Sequence, residues 1–259
     1  MTPFPDGHPL VAPLATLPAA AWAALPGSDA PVAMSRLDLA PLAAPLAPSQ
    51  LAAILGPAEL ARYHAFPFPK RQQEWLGGRL AAKEAVRELL VALGRKPRAA
   101  AELVIASDPA GRPLLETAGL PRPIHLSISH SHGQAAALAG LSPCGIDLQL
   151  CTPTVVRVGE RFATAAESAL LRAALAGLTE RERLTLLWAA KEALRKMVPT
   201  KPLLGFHEAL LTEIRPAGIA HLFLFSAGKI CHNASHPVRV VATVVGEHAL
   251  AVSLLPPTE

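Results

Sequence analysis

Cys144-Gly145-Ile146-Asp147-Leu148-Gln149-Leu150 is the stretch at which this chain changes character. Its apolar residues alternate with Gly145, Asp147 and Gln149, so it reads as a strand with Ile146 and Leu148 on one face and the acid on the other. The same period of two runs back through Ala135–Leu141, Ile124–His130 and Leu103–Ile105. His132-Gly133, Ser142-Pro143 and Asp108-Pro109-Ala110-Gly111 mark the turns between these runs. Downstream the period becomes helical at Ala165–Leu175 and Glu180–Met197, and strands return near Ala220–Phe225, Pro237–Val245 and Ala249–Leu254.

Upstream, Val32–Leu39 alternates as a first strand, and Ser49–Leu55 and Pro57–Phe66 read as short helices. The longest helical pattern runs from Lys70 to Leu93, closed by Gly94, with Leu76, Leu80, Val86, Leu89, Leu90 and Leu93 as its apolar stripe. Segregated strands and helices predict an α+β fold instead of a doubly wound sheet. The order strand, helices, strands, then helices and strands again suggests a duplication, resting on the element pattern alone. The predicted division is an irregular Ala/Pro-rich segment at 1–31, an N-terminal lobe at 32–145 and a C-terminal lobe at 146–259. Four prolines from Pro13 to Pro31 predict extended structure for the first of these.

Half the residues are hydrophobic (51%) but only 4% are aromatic, so aliphatic packing must build the core and a base-stacking platform has little support. A formal charge of +4, with no run of five Lys/Arg, favours anionic partners without calling for nucleic acid. Cys144, Cys151 and Cys231 form no C-x-x-C pair, which predicts a reducing cytoplasm instead of a disulfide framework or a Cys-rich zinc site. The first Lys or Arg is Arg36, and no stretch approaches the roughly 20 apolar residues of a membrane span, so a soluble protein without a signal peptide is expected. Neither G-x-G-x-x-G nor G-x-x-x-x-G-K-[ST] occurs.

The chemistry-bearing residues fall in three places. On Trp188-Ala189-Ala190-Lys191-Glu192-Ala193-Leu194-Arg195-Lys196, one helical stripe carries Trp188, Lys191, Glu192, Arg195 and Lys196. The plain reading is a solvated face with a Glu192–Lys196 pair. Asp147 could equally be an edge-strand acid facing water. Together, however, a strand acid and a helix acid provide the one or two carboxylates that Mg²⁺ uses beside substrate phosphates. In Leu126-Ser127-Ile128-Ser129-His130-Ser131, Ser129 and His130 point to opposite faces, so they cannot form a nucleophile–base pair. His130 is either a structural histidine or a phosphate contact, and zinc binding with His132 lacks further ligands. From Lys70 to Arg98 eight Lys/Arg stand against three Glu, with Arg79 and Lys83 on one helix face. Arg112, in the turn Gly111-Arg112-Pro113, is either a solvated charge or a phosphate clamp.

The order of the blocks Gly78-Arg79-Leu80-Ala81-Ala82-Lys83-Glu84-Ala85, Gly111-Arg112-Pro113, Leu126–Ser131, Gly145-Ile146-Asp147, Phe162 with Glu167, and Trp188–Lys196 resembles the Sfp-type 4′-phosphopantetheinyl transferases over about residues 60–200. The resemblance implies a monomer of two pseudo-symmetric α+β lobes, each a small sheet packed with helices, with coenzyme A bound between the lobes and Mg²⁺ on its pyrophosphate. It implies transfer of the phosphopantetheine arm to a serine of an apo acyl or peptidyl carrier protein, with an acidic helix on the carrier meeting the basic enzyme. Asp147 and Glu192 would hold the metal, with Glu192 also accepting the serine proton. Lys196 would stabilise the leaving phosphate. Arg79, Arg112 and His130 would contact coenzyme A, the last two at its 3′-phosphate, and Ser129, Lys83, Lys191 and Lys196 complete the candidate contacts. Many members carry an acid where this chain has Gln149, so here that position would bind the metal weakly or through water.

Three other classes fit less of the pattern. A non-catalytic module binding coenzyme A or a carrier would take up no phosphopantetheine arm, and another metal-dependent phosphotransferase or pyrophosphatase would consume a nucleotide without a carrier. A purely structural protein would leave the ordered blocks unexplained. The carrier's pathway, whether fatty acid, polyketide, nonribosomal peptide or lysine, is not legible in the residues.

Overall fold

The computed structural model describes residues 17–26, 30–120, 123–198, 203–226 and 237–255. In chain order the elements are α1 (Ala19–Ala23), β1 (Val32–Asp38), α2 (Pro48–Ile54), α3 (Pro57–His64), α4 (Pro69–Ala92), β2 (Ile105–Ser107), β3 (Pro113–Leu115), β4 (His125–Ser131), β5 (Gln134–Gly140), β6 (Cys144–Leu150), α5 (Thr154–Arg157), α6 (Ala165–Ala174), α7 (Glu180–Met197), β7 (Leu211–Ala217), β8 (Ala220–Phe225), β9 (Val238–Val245) and β10 (His248–Leu254). They divide into two units. The first contains Ala30–Leu141, and the second contains Leu17–Asp29 and Ser142–Glu259. The fold is α+β, with one five-stranded antiparallel sheet in each unit.

In the first unit the sheet order is β1-β5-β4-β3-β2, and α4 packs on β5 and β1. Leu76, Leu80, Val86, Leu89 and Leu90 of the expected stripe are buried, while Leu93 is half-buried. Ala135, Ala137 and Ala139 make one face of β5 a low surface, which lets the long helix lie close to the strand. The β4–β5 hairpin turns through His132 and Gly133, both at positive φ (41° and 80°), the pairing that a tight two-residue turn requires. In the second unit the order is β6-β10-β9-β8-β7, and α7 packs on β6, β10 and β9. The two plans coincide: the first strand pairs with the last, and the helices come between the first strand and the second.

The duplication extends to individual side chains. In the second unit Lys191 Nζ lies 2.7 Å from Glu167 Oε1 and donates to Phe162 O at 2.7 Å, at 0% and 1% side-chain exposure for the pair. Glu167 also accepts from the Thr164 N–H at the start of α6 and from the Leu211 N–H that opens β7. In the first unit Lys83 meets Glu59 and donates to Ile54 O. Glu59 accepts from the Gly56 N–H before α3 and from the Ile105 N–H that opens β2. The Lys–Glu spacing is 24 in both units (83 − 59 and 191 − 167), and each lysine reaches a carbonyl 29 residues back.

A residue-level repeat therefore exists where the element pattern alone had suggested duplication. Leu-Ala-Ala-Lys-Glu-Ala-Val-Arg-Glu at 80–88 matches Trp-Ala-Ala-Lys-Glu-Ala-Leu-Arg-Lys at 188–196.

Several elements differ from the sequence expectation: α5 was not anticipated, and β2 runs over Ile105–Ser107 instead of Leu103–Ile105. Within the Ala/Pro-rich segment, residues 19–23 form α1 and bury Ala21. Pro18 stands just before the first turn, where a missing N–H costs nothing. β7 was not anticipated because Pro216 interrupts it. As an edge strand it tolerates a residue that cannot donate to the ladder. β3 is three residues long and too short to show a period. Residues 1–16 and 27–29 of the N-terminal segment, and Cys231, lie outside the described residues. Among those described, no helix is long and apolar enough to cross a membrane.

The Glu167 pair gives a stability prediction. Burial pushes the Glu167 carboxyl up, but the Leu211 N–H, Lys191 and the Thr164 N–H outweigh it and hold the group below its ordinary value of 4.5. A lowered folded-state value means the stabilisation is present above the ordinary value and is lost as pH falls through the folded one. Glu167→Gln, which strands a buried ammonium, should cost about 3–5 kcal/mol at pH 7. In urea unfolding, the gap to wild type should narrow as pH drops below 4.5. A gap independent of pH would refute the ion-pair account.

Candidate active site

In the second unit, α7 presents a row of charges to β6. Lys196 Nζ donates to Asp147 Oδ1 at 2.7 Å and to Ile146 O at 3.1 Å. The preceding residue, Arg195, donates through Nη1 to Glu192 Oε1, one turn back along α7. Each of the two acids thus faces a cation from the same helix. β6 is an edge strand, yet Asp147 is only 5% exposed, because α7 covers it and keeps it from water.

The close approach of α7 has a local cause. A Cβ built on Gly145 would stand 1.8 Å from Ala193 O and 2.9 Å from Met197 N, so only glycine fits at this crossing. Ser253, opposite Gly145 on β10, donates to the same Ala193 carbonyl at 3.0 Å. Helix and strand are clamped at Ala193, between the helix acid and the helix lysine.

Burial pushes the Glu192 carboxyl above its ordinary range, and the Asp147 charge adds to this, with Arg195 and Lys196 opposing. Lys196, one helical turn after Glu192, contacts Asp147, so the strand acid and the helix acid belong to one cluster of charges. The donor chemistry fits a hard dication: two carboxylates, with the half-buried Gln149 two residues along β6 from Asp147. Among the described residues no group of three or more His, Cys, Asp or Glu gathers, so an ion here would take its remaining ligands from water or substrate oxygens. Asp147, Glu192 and Gln149 are the residues able to hold it.

The helix stripe read from the sequence divides in two. Lys191 does not share the surface with Glu192. Its ammonium is enclosed, donating to Phe162 O and to Phe206 O at 2.9 Å. Lys83 is enclosed in the same way in the first unit. Burial lowers both ammonium groups, against the pull of Glu59 and Glu167. Both lysines, expected as coenzyme contacts, face the interior of their units in this structure.

The first unit holds a cavity of about 600 Å³ lined by Arg62, Phe66, Arg71, Trp75, Arg79 and His130, among others. The Arg79 guanidinium lies 4.7 Å over the Trp75 ring, and its Nε is 3.7 Å from Glu59 Oε1. Burial lowers Arg79, with Glu59 opposing and Arg62 adding. Arg71 Nη1 stands 3.4 Å from His130 Nε2. Ser129 is buried on the strand face opposite His130 and does not line this cavity. Arg112 pairs with Asp108 at 3.2 Å, while its neighbours Gly111 and Pro113 reach the lining. Arg62, Arg71, Phe66 and Trp75 were not singled out from the sequence; the Arg/aromatic interleaving at 62–79 is the signal that could have found them.

A profile of the 4′-phosphopantetheinyl transferase superfamily matches residues 143–253, which fall in the second unit. A holo-[acyl-carrier-protein] synthase of Geobacillus kaustophilus (strain HTA426) is 41% identical over 85 residues; the match spans 32% of this chain and 64% of that protein. Its counterpart in Lactococcus lactis subsp. lactis (strain IL1403) is 35% identical over 88 residues, 34% of this chain and 74% of that protein. Among solved structures, a holo-(acyl-carrier-protein) synthase from Bacillus anthracis is 27% identical with a TM-score of 0.38, over 43% of this chain and 95% of that one.

Gly145→Ala tests the crossing. A methyl group against backbone atoms must drive α7 off β6, with a cost at or above the roughly 1–3 kcal/mol of an overpacked core. The urea midpoint should fall well below that of Gly177→Ala, where an added Cβ meets nothing within 4 Å. Equal midpoints would show that the helix has room to spare.

Proposed function

The chain belongs to the 4′-phosphopantetheinyl transferase superfamily, and on that premise we propose that it moves the phosphopantetheine arm of coenzyme A onto a serine hydroxyl of an apo acyl or peptidyl carrier protein. The observation that carries this reading is the pairing of Asp147 with Lys196, and of Glu192 with Arg195, at the β6–α7 crossing inside the matched segment. Transfer of this kind needs positioning and charge neutralisation more than covalent catalysis. The serine oxygen forms the new phosphoester bond, the pyrophosphate P–O bond breaks, and adenosine 3′,5′-bisphosphate leaves.

We assign Glu192 as the group that accepts the serine proton, directly or through a water. Burial moves its carboxyl upward, the direction in which a carboxylate becomes a stronger proton acceptor. Lys196 is assigned to the leaving phosphate, which would exchange the Asp147 oxygen for a substrate oxygen as its partner. Asp147 and Glu192, with Gln149 weakly or through water, would hold Mg²⁺, which when bound polarises and neutralises the pyrophosphate.

Arg79, Arg112 and His130 in the first unit are proposed contacts for coenzyme A, with Arg112 and His130 at its 3′-phosphate. Ser129, Lys83 and Lys191 are kept as weaker candidates, because the two lysines act first on the interior of their units. The internal duplication supports an Sfp-type chain acting as a monomer, and the Cys144 and Cys151 thiols support a reducing cytoplasm. The basic sequence supports an acidic helix on the carrier, with a carrier KM that rises with ionic strength.

The decisive experiment incubates the chain with coenzyme A, Mg²⁺ and a panel of apo carriers from fatty acid, polyketide, nonribosomal peptide and lysine pathways. A mass gain of one phosphopantetheine arm is expected, lost in Asp147→Ala and Glu192→Ala with the fold intact. Lys196→Ala should lower kcat more than it raises the coenzyme A KM, and Arg112→Ala should do the reverse. No mass gain on any carrier would leave a binding module, and full turnover in either acid variant would overturn the site.

A further inference from the structure

Arg195 has more partners than a helix-surface pair needs. Its Nη1 donates to Glu192, its Nε donates to Leu204 O at 2.7 Å, and its guanidinium carbon lies 4.3 Å over the Phe206 ring. The loop that supplies two of these partners is itself pinned. Phe206 packs on Trp188 with ring centroids 4.7 Å apart, and its carbonyl accepts from Lys191. The side chains of Arg195 and Glu192 are 17% and 21% exposed. An ordinary exposed pair at this spacing gives up much of its attraction to the entropy of holding two mobile side chains. Here the loop has already fixed the guanidinium, so little of that cost remains.

We propose that Arg195 is a positioning residue that holds the Glu192 carboxylate against the Leu204–Phe206 loop and competes with a divalent cation for it. This rests on the reading of Glu192 as a metal ligand. The competition follows from charge and geometry. Glu192 Oε1 is engaged by a cation whose place is set by groups other than Glu192, so an incoming dication must share or displace that contact. The contact with Leu204 O and Phe206 keeps Arg195 beside the acid in either case. Arg195 thus sets how firmly the site holds a metal and keeps Glu192 at a defined distance from Asp147 and Lys196.

The test measures binding of Mn²⁺ alone to the full chain, by loss of the free-ion electron paramagnetic resonance signal. It compares wild type, Arg195→Met, Glu192→Gln and the double variant. The methionine keeps an apolar stem on Phe206 and removes the charge. Arg195→Met should tighten Mn²⁺ binding roughly three- to tenfold, the worth of one part-buried ion pair. Glu192→Gln should weaken binding, and the double variant should match it, because the gain needs the acid. A purely structural arginine would alter thermal stability without this dependence on Glu192. Should Arg195→Met fail to fold, Arg195→Gln, which can still donate to Leu204 O, should tighten binding in the same way. If neither variant tightens binding while Glu192→Gln still weakens it, Glu192 remains a ligand and the competition is refuted. If Glu192→Gln binds Mn²⁺ as wild type does, the metal-ligand reading itself fails.

Discussion

A buried ammonium–carboxylate pair, made twice, organises this protein. Lys191 with Glu167 and Lys83 with Glu59 each tie three things at one point: the helix that carries the lysine, the start of the shorter helix that carries the glutamate, and the first residue of the strand that follows. A charge pair buried this deeply is a poor source of net stability, because desolvation consumes most of the attraction. What it supplies is definition. Both carboxylates accept from, and both ammonium groups donate to, backbone groups of separate elements, so a rotated or shifted helix would leave a charge stranded.

That definition bears directly on the site. Successive residues on a helix point about 100° apart. With Lys191 locked inward, Glu192 has to emerge at the edge of the buried face, and Arg195 and Lys196 follow within the next turn. The Gly145–Ala193 contact then sets the depth at which α7 lies on β6. One pair fixes the rotation of the helix and one glycine fixes its distance. The first unit repeats the rotation with Lys83 and Glu84, but where the second unit has Lys196 it has Glu88. The pairing of a helix lysine at this position with a strand acid thus belongs to the second unit and has no counterpart at Glu88 in the first.

Much of this was legible in the chain. The strand at 144–150 and the helix at 180–197 match their sequence reading to the residue, because alternation and the Thr179–Glu182 capping box mark them without tertiary help. Block order brought Asp147 and the 188–196 helix into one candidate site, but the sequence reading paired Glu192 with Lys196, whereas Lys196 meets Asp147 and Arg195 meets Glu192. Other features depended on contacts that no local pattern encodes. Lys191 looked like a surface cation because periodicity alone cannot separate a charge that snorkels outward from one that meets a carboxylate inside. Ser129 entered as a coenzyme contact through the resemblance alone, since the strand period had already set it on the face opposite His130. The partners of Arg195 lie nine and eleven residues downstream of it, beyond the helix end, in a loop with no periodicity to read. The repeat at 80–88 and 188–196 was visible in principle, but it gains its meaning only when both lysines are seen to point inward.

The four side chains at the β6–α7 crossing are two acids and two bases, Asp147 and Glu192 against Arg195 and Lys196. Fully ionised, they sum to no net charge. Such a quartet offers little field to attract a lone dication, since each carboxylate already has a nearby cation. It offers equally little to attract a lone diphosphate. Both sets of groups could be satisfied at once if acids and bases exchange partners: the carboxylates would turn to a dication and Lys196 to phosphate oxygens, with Arg195 kept beside Glu192 by Leu204 O and Phe206. The site is then neutral before and after, and no side chain has to be buried with its charge unmet. If the site takes the dication and pyrophosphate proposed for it, the pairing of each acid with a base would let it accept the two opposite charges together, each binding more weakly alone.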